Sequence, residues 1–392
     1  MDRLELYELI AGGEDTFVEF KRDVSQRSDF AGEMIAFANT QGGRILVGVD
    51  DDGTVVGIPD PKRTEEAVLN IARDNVIPSL RVAIDRVDAD EKTVLVVQSP
   101  RRAGHPYENN SGQCYIRVGS TKRLATPQER ARLLQAAGMV HFDETPVPGT
   151  SIRDLDVAAF EAFLQRALNS GIEEAGLPLQ SLLLNRRLMV PDFDDTPRMS
   201  VAGLLMFGRE PQTLMAHSRI SAVRWAGEVA GETILDRQEI EGRLPQLIDK
   251  AESFLRRNTA QGAQIQGFKR EDRPQYPPEA LREAVVNAVA HRDYSREGPQ
   301  IRIFVFDTCV EVHSPGGLPN SVTLDNMKTG FSSPRNRLIV QLLFNLGYMS
   351  SFGTGIPRML RLMKQHTGVA PELIVEDAEL IVRLFAPSIS AD

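Results

Sequence analysis

From His141 to Ile152 the sequence runs His-Phe-Asp-Glu-Thr-Pro-Val-Pro-Gly-Thr-Ser-Ile. Two prolines and a glycine in so short a stretch remove backbone donors and favour turns, so regular structure is predicted to break there. A break at this point sets off the first 140 of 392 residues. Domains run to about 100–200 residues, so two or three are expected. The expected boundaries are 1–140, a linker at 141–152, a middle α/β segment at 153–275 that is free to join the C-terminal module, and a last domain at 276–390.

Within the first part, helical and period-two patterns alternate. Leu4, Leu6, Leu9 and Ile10 fall at helical spacing and Gly12-Gly13 close that helix. Thr16–Lys21 alternates with period two and predicts a strand, Phe30–Asn39 predicts a helix, and Arg44–Val49 predicts a second strand. Asp50-Asp51-Asp52-Gly53 is a turn sequence leading into Thr54–Ile58, which predicts a hairpin. Further strands are expected at Arg81–Val87, Thr93–Gln98 and Gln113–Val118. Beyond the break, helices are expected at Asp154–Ala167, Leu244–Arg257, 279–291, 335–346 and 356–366. Strands are expected at Met199–Gly208, Arg219–Trp225, Gln300–Phe306, Cys309–Ser314 and near Glu372–Phe385. The fold class predicted is α/β (α+β).

Composition excludes several classes. No stretch approaches the ~18 uninterrupted apolar residues of a membrane span. Asp2, Arg3, Glu5 and Glu8 deny the start a signal peptide's apolar core. Two cysteines, Cys114 and Cys309, exclude a disulfide scaffold and a cysteine-rich zinc module. A cytoplasmic protein without a membrane partner is expected. The net charge of −9 argues against a wholly nucleic-acid-coated surface but not against a local basic groove.

Two constellations carry chemistry in the first part. Glu14, Glu19 and Asp50 sit at or near the ends of neighbouring predicted strands. Carboxylates placed so can converge on a divalent metal, Mg2+ or Mn2+, which prefers oxygen ligands and can activate water beside a phosphate. The alternative for Asp50 is a local turn role. Lys21 shares a strand face with Glu19 and could touch phosphate. Residues 94–132 then hold Arg101, Arg102, Arg117, Lys122, Arg123, Arg130 and Arg132 against Glu108 and Glu129, a local charge of +5 in an acidic chain. Tyr107 and Tyr115 lie among them and could stack on bases. Phosphate contact and a solvated charged face are both open readings.

Four motifs together resemble the AlbA-like DNA-binding domain of the Schlafen group. They are Glu14-x4-Glu19-Phe20-Lys21, Ala36-Phe37-Ala38-Asn39-Thr40-x-Gly42-Gly43, Gly48-Val49-Asp50-Asp51-Asp52-Gly53-x3-Gly57, and Tyr115-Ile116-Arg117-Val118-Gly119-Ser120-Thr121. The resemblance covers most of residues 1–135. It implies DNA or RNA binding. Schlafen nucleases carry two glutamates five residues apart and a later aspartate that cut RNA, and Glu14, Glu19 and Asp50 are similar in type and order. Those nucleases embrace substrate with two such lobes. A chain with one implies a homodimer or higher homo-oligomer, or a binder that does not cut.

Near the C-terminus, Glu283 and Asn287 are four apart in Arg282-Glu283-Ala284-Val285-Val286-Asn287 and share a helix face. An amide that ligates a metal beside a carboxylate that orients water suits a nucleotide–Mg2+ site; a solvated polar pair is the bland alternative. Two glycine clusters follow. Ser314-Pro315-Gly316-Gly317 comes after a strand, and Gly353-Thr354-Gly355 precedes a helix, where backbone amides can take phosphate. Between them, residues 327–336, with Lys328, read as a polar lid. No phosphate-gripping Gly-x4-Gly-Lys-Ser/Thr loop is present. His291-Arg292-Asp293 is not a kinase catalytic loop, because Gly298 stands where that motif needs asparagine.

Residues 279–366 resemble the ATP-binding domain of the GHKL group, and more closely its divergent RecG-like C-terminal version, which implies an α/β sandwich. The resemblance implies Glu283 as general base of an ATPase, Asn287 as Mg2+ ligand, and Ser314, Gly316, Gly317, Lys328, Gly353, Thr354 and Gly355 around the nucleotide. It departs at Ser314, where GHKL proteins place the aspartate that reads adenine. Three functions are expected in order. The first is a nucleotide-gated nucleic-acid-binding regulator, with Lys21, Arg101, Arg102, Arg117, Lys122 and Arg123 on the nucleic acid. The second is a metal-dependent nuclease under ATP control. The third is a pseudo-ATPase scaffold.

Overall fold

A computed structural model describes residues 1–387 apart from 102–103, 232, 260, 267–268, 320–321, 351–352 and 377–378, and the backbone alone in the rest of 261–273. The chain forms two compact units, Met1–Val140 and His141–Asp392. It is an α/β (α+β) protein.

The first unit is built on a four-stranded sheet. Val18–Lys21 pairs parallel with Gly43–Val47, which pairs antiparallel with Lys92–Ser99, and Ala83–Ala89 takes the far edge. Runs such as Ile45-Leu46-Val47 and Val94–Val97 are continuously apolar because both sheet faces are covered. On one face Ile45, Val47, Leu95 and Val97 pack with Phe30, Met34 and Phe37 of the Arg27–Asn39 helix and with Val68 and Ile71 of the Pro61–Asp74 helix. On the other, Phe20, Leu46, Val94 and Val96 pack with Leu6 of the Arg3–Gly12 helix. The expected Thr54–Ile58 strand is reduced to a single bridge, Val49 to Val55.

The second unit carries a six-stranded sheet. In order its strands are Ile234–Ile240, Ile220–Trp225, Ile301–Val305, Cys309–Pro315, Glu379–Phe385 and Glu372–Glu376. Only the Ile220–Trp225 and Ile301–Val305 pair is parallel. Ile301, Ile303, Val310, Val312, Val382 and Leu384 face one core, which holds the Leu244–Asn258, Pro278–His291 and Gly355–Thr367 helices. Residues 153–275 feed that same core through Phe160, Phe207, Ile220 and Leu247. They supply two strands of its sheet.

Met199–Gly208, expected as a strand, is the helix Val201–Phe207. All seven of its residues are buried, so no polar face marks a helical period. Ser200, whose hydroxyl accepts the Gly203 N–H at 3.0 Å, is the capping signal that went unread.

The Pro-rich stretch 141–152 carries a short 3-10 turn, Phe142–Glu144, and it is not a free tether. Val147 donates to Met199 O, Thr150 Oγ1 accepts from Met199 N, and fully buried Asp143 caps the Arg337–Asn345 helix by accepting from the N–H groups of Leu338 and Ile339 at 2.7 and 3.0 Å. Burial pushes the Asp143 carboxyl up to about 6, against the pull of those two donors. A folded pKa above the unfolded one means stability present at low pH and lost as pH rises through about 6. Relative to a D143N variant, which keeps the acceptor without the charge, the wild type is expected to lose roughly 3 kcal/mol of unfolding free energy between pH 3 and 7. Urea denaturation of both proteins across that range measures it.

Candidate functional site

The Pro278–His291 helix opens on Pro277-Pro278, whose rings preset the first-turn backbone. Glu283, Asn287 and His291 recur every four residues and so lie on one stripe. All three line one cleft, together with Ser314, Gly316, Gly317, Gly353 and Gly355. Its volume is about 120 Å3, and Val312, Val340, Leu380 and Val382 give it mostly apolar walls. Lys328 and Thr354 do not line it: Lys328 is exposed, 3.9 Å from Asp325.

Glu283 is buried at the centre of the polar edge. Asn287 Nδ2 donates to its Oε1 at 2.9 Å, and Arg358 Nη2 lies 3.5 Å from its Oε2. With Nδ2 committed there, the Asn287 amide oxygen is the group left for the cleft. Gly355 begins the Gly355–Thr367 helix against the same carboxylate: a Cβ there would lie 1.6 Å from Glu283 Oε1. Gly355→Ala is therefore expected to displace Glu283, cost about 1–3 kcal/mol by overpacking, and remove any ligand-induced rise in Tm. Thermal melts with and without ATP–Mg2+ check this.

The glycine loops are held by close approach. Gly353 and Gly330 adopt φ of +84° and +95°, and a Cβ on Gly353 would lie 2.0 Å from Gly330 O, so the segment read as a lid rests on the second glycine box. Gly316, at φ +115°, leaves no room for a side chain beside Arg335, whose guanidinium donates to Gly317 O and lies 3.6 Å from Asp293 Oδ2. Ser314 Oγ donates to Ala288 O at 3.0 Å, which ties the loop to the helix. Burial and the Arg335 charge push the His291 imidazole down to about 4, so it stands neutral in the cleft at pH 7.

The first unit treats its charges differently. Val18 and Phe20 face one side of their strand, so Glu19 and Lys21 face the other, under the Arg27–Asn39 helix. There Glu33 descends from the helix. Arg117, its side chain fully buried, lies 2.8 Å from Glu19 Oε2 and 3.2 Å from Glu33 Oε2. It also donates to Asp15 O and Val18 O and stacks 4.5 Å over the Phe37 ring. Lys21 Nζ lies 2.6 Å from Glu19, and Lys122 Nζ reaches Glu33 at 2.7 Å and also Asp29. Three carboxylates and three cations thus close a neutral, largely buried network.

Lys21, Arg117 and Lys122, expected on nucleic acid, are turned into this network. Arg123 pairs with Glu129 on the surface, and Arg102 lies outside the described residues. Glu14 and Asp50 are not brought to Glu19's partners. Glu14 accepts the Phe20 N–H at 2.8 Å, and Asp50 lies 3.1 Å from Arg22. Among the described residues no three His, Cys, Asp or Glu side chains form a group that could hold a metal ion. Glu33 was readable: it lies one turn from Phe30 and Phe37 and beside Met34, a charge on an apolar helix face.

Residues 14–126 match the family model "Schlafen, AlbA_2", and residues 298–384 match "Putative ATP-dependent DNA helicase recG C-terminal". Each match covers less than a third of the chain, and the two fall in separate units. These two domains mark a nucleic-acid-related, ATPase-like protein. No curated protein matches the chain. Among solved structures, the DIP2311 protein of Corynebacterium diphtheriae is 23% identical, with 98% of this chain and 80% of that one covered at a TM-score of 0.48. The N-terminal domain of a "Putative ATP-dependent DNA Helicase RecG-related Protein" from Nitrosomonas europaea is 29% identical over 31% of this chain and 90% of its own, at a TM-score of 0.25. The second domain match begins after the Pro278–His291 helix, so the roles of Glu283 and Asn287 rest on geometry. No described helix is long and apolar enough to cross a membrane.

Proposed function

We propose that the second unit binds ATP with Mg2+ in the Glu283–Asn287 cleft, that the first unit binds nucleic acid, and that nucleotide state sets nucleic-acid affinity. The observation that carries the nucleotide reading is the convergence of Glu283, Asn287, Ser314 and both glycine boxes on one cleft. The apolar walls suit a base, and the two glycine loops bring backbone to the same cleft. The donor set fits Mg2+ in the way nucleotide sites use it, with one protein oxygen, from Asn287, and the rest from phosphate and water. When bound, the ion would neutralise phosphate charge. Glu283 would accept a proton from an attacking water, and the Asn287 amide and Arg358 hold that carboxylate in place.

The geometry disfavours the nuclease alternative, because Glu19 is already neutralised by Arg117 and Lys21. Two measurements test the function. Fluorescence anisotropy with labelled single-stranded RNA and DNA is expected to show binding that changes at least about fivefold between ATP–Mg2+ and no nucleotide, a coupling of about 1 kcal/mol. Equal affinity in both states would refute the gating. Labelled tRNA and DNA incubated with Mn2+ are expected to stay full-length; cleavage lost in Glu19→Ala would reinstate the nuclease.

A further inference from the structure

The basic residues singled out by sequence are mostly consumed by ion pairs, yet the first unit keeps an open basic cleft elsewhere. Its volume is about 760 Å3, and Arg44, Arg81 and Arg101 line it with Phe17. The cleft crosses one end of the sheet. Val18, Arg44, Gln98 and Ala83 stand in register across all four strands, and all four line it.

The placement follows from the Gly42-Gly43 pair. Gly42 sits at φ +79°, and a Cβ on it would lie 2.8 Å from Arg101 N and 3.1 Å from Ser99 O. A Cβ on Gly43 would strike the Phe37 ring at 2.2 Å and Phe17 O at 2.7 Å. Two side-chain-free residues therefore let the Phe17 and Ser99–Arg101 segments close on the start of the Arg44 strand. That closure brings Arg44 and Arg101 to one cleft.

The lining carries three arginines against one carboxylate, Asp15. Among the described residues Arg44 and Arg81 make no ion pair, and both are exposed. The acid in the lining, Asp15, spends Oδ1 on the N–H groups of Phe17 and Val18 at 2.7 and 2.8 Å. Glu5 and Glu8 line a neighbouring depression that shares Arg44, so the positive field is strongest toward Arg81 and Arg101. Phe17, in the same lining, is 48% exposed.

We infer that this cleft, and not the hairpin of Tyr115–Val118 and Thr121–Leu124, is where the first unit takes a single-stranded nucleic acid, with backbone phosphates on Arg44, Arg81 and Arg101 and a base stacked on Phe17. Arg44 lies in the Gly43–Val47 strand, Arg81 two residues before the Ala83–Ala89 strand and Arg101 two residues after the Lys92–Ser99 strand, so the three cations come from three separate segments, which suits a chain of phosphates better than one anion. A positive groove with an aromatic platform is the general form of strand binding without sequence preference. The inference rests on the nucleic-acid reading proposed above and locates its contact.

The test is anisotropy of labelled single-stranded 20-mers, RNA and DNA, on the full chain over a salt series. Arg44→Gln/Arg81→Gln is expected to lower the slope of log affinity against log salt by about 1.4 and to weaken binding about 25-fold at 0.1 M salt. Phe17→Ala is expected to weaken it roughly fivefold or more. Arg123→Gln/Arg130→Gln, which removes the paired surface arginines, is expected to stay within about twofold of wild type. Wild-type binding that survives the Arg44/Arg81 pair, or that the Arg123/Arg130 pair abolishes, overturns the cleft and leaves the nucleic-acid reading standing. A wild type that binds neither strand overturns both.

Discussion

Glu283→Gln is expected to slow ATP hydrolysis at least about 100-fold while leaving ATP–Mg2+ affinity within about threefold. A positioned base contributes about 10²–10⁴ in rate, and an amide of the same shape cannot take the proton. Binding survives because the side chain keeps its place: the glutamine oxygen still accepts from Asn287 Nδ2, and Gly355 still leaves it room. Loss of the Arg358 contact is tolerable at 3.5 Å. Phosphate release under single-turnover conditions, beside calorimetric titration of nucleotide, separates the two effects. Equal loss of binding and turnover would make Glu283 a structural brace. Unchanged turnover would remove it from the chemistry.

Arg117→Ala is expected to cost the first unit about 3–5 kcal/mol, enough to unfold a marginal domain. Removing one member of a buried ionic network strands the others. Glu19 keeps Lys21, and Glu33 keeps Lys122 and, at 3.7 Å, Lys21, but each loses its guanidinium, and the carbonyls of Asp15 and Val18 lose their donor. Burial already raises the Glu33 carboxyl above its usual range with every partner in place. The exposed Arg123–Glu129 pair is the control, because surface pairs contribute only ~0–1 kcal/mol. Urea midpoints of Arg117→Ala and Arg123→Ala compare the two. Equal midpoints would show that the network carries no stability.

The reach of sequence reasoning differed between the two units for a physical reason. In the second, the decisive residues sit on local patterns. Glu283 and Asn287 share a helical period, and the glycines punctuate strand and helix ends, so these local patterns, read with the GHKL resemblance, picked out residues that the cleft's lining includes. Lys328 and Thr354 stand outside the cleft's lining, because proximity in sequence to a glycine box does not fix which way a side chain points. In the first unit, function was assigned by charge count, and charge count does not say which side of a strand or hairpin a residue occupies. Arg117 looked like a surface cation until its strand was seen to run beneath a helix carrying Glu33. Arg44 and Arg81 went unnoticed because they are isolated in sequence and meet only through sheet register. The helix at Val201–Phe207 and the anchoring of 141–152 share that origin: burial on all sides erases periodicity, and Asp143 reaches a helix 195 residues away.

The central claim is that one cleft holds a nucleoside triphosphate against Asn287. Its most direct test is the melting temperature of the full chain titrated with ATP–Mg2+, wild type beside Asn287→Ala. Ligand at 100 times Kd stabilises the site that binds it by about 2.7 kcal/mol, a rise of several degrees for a unit this size. The account predicts that rise for the wild type and its loss in Asn287→Ala. A wild type unmoved by millimolar ATP–Mg2+, or a variant that rises as far as the wild type, would contradict it.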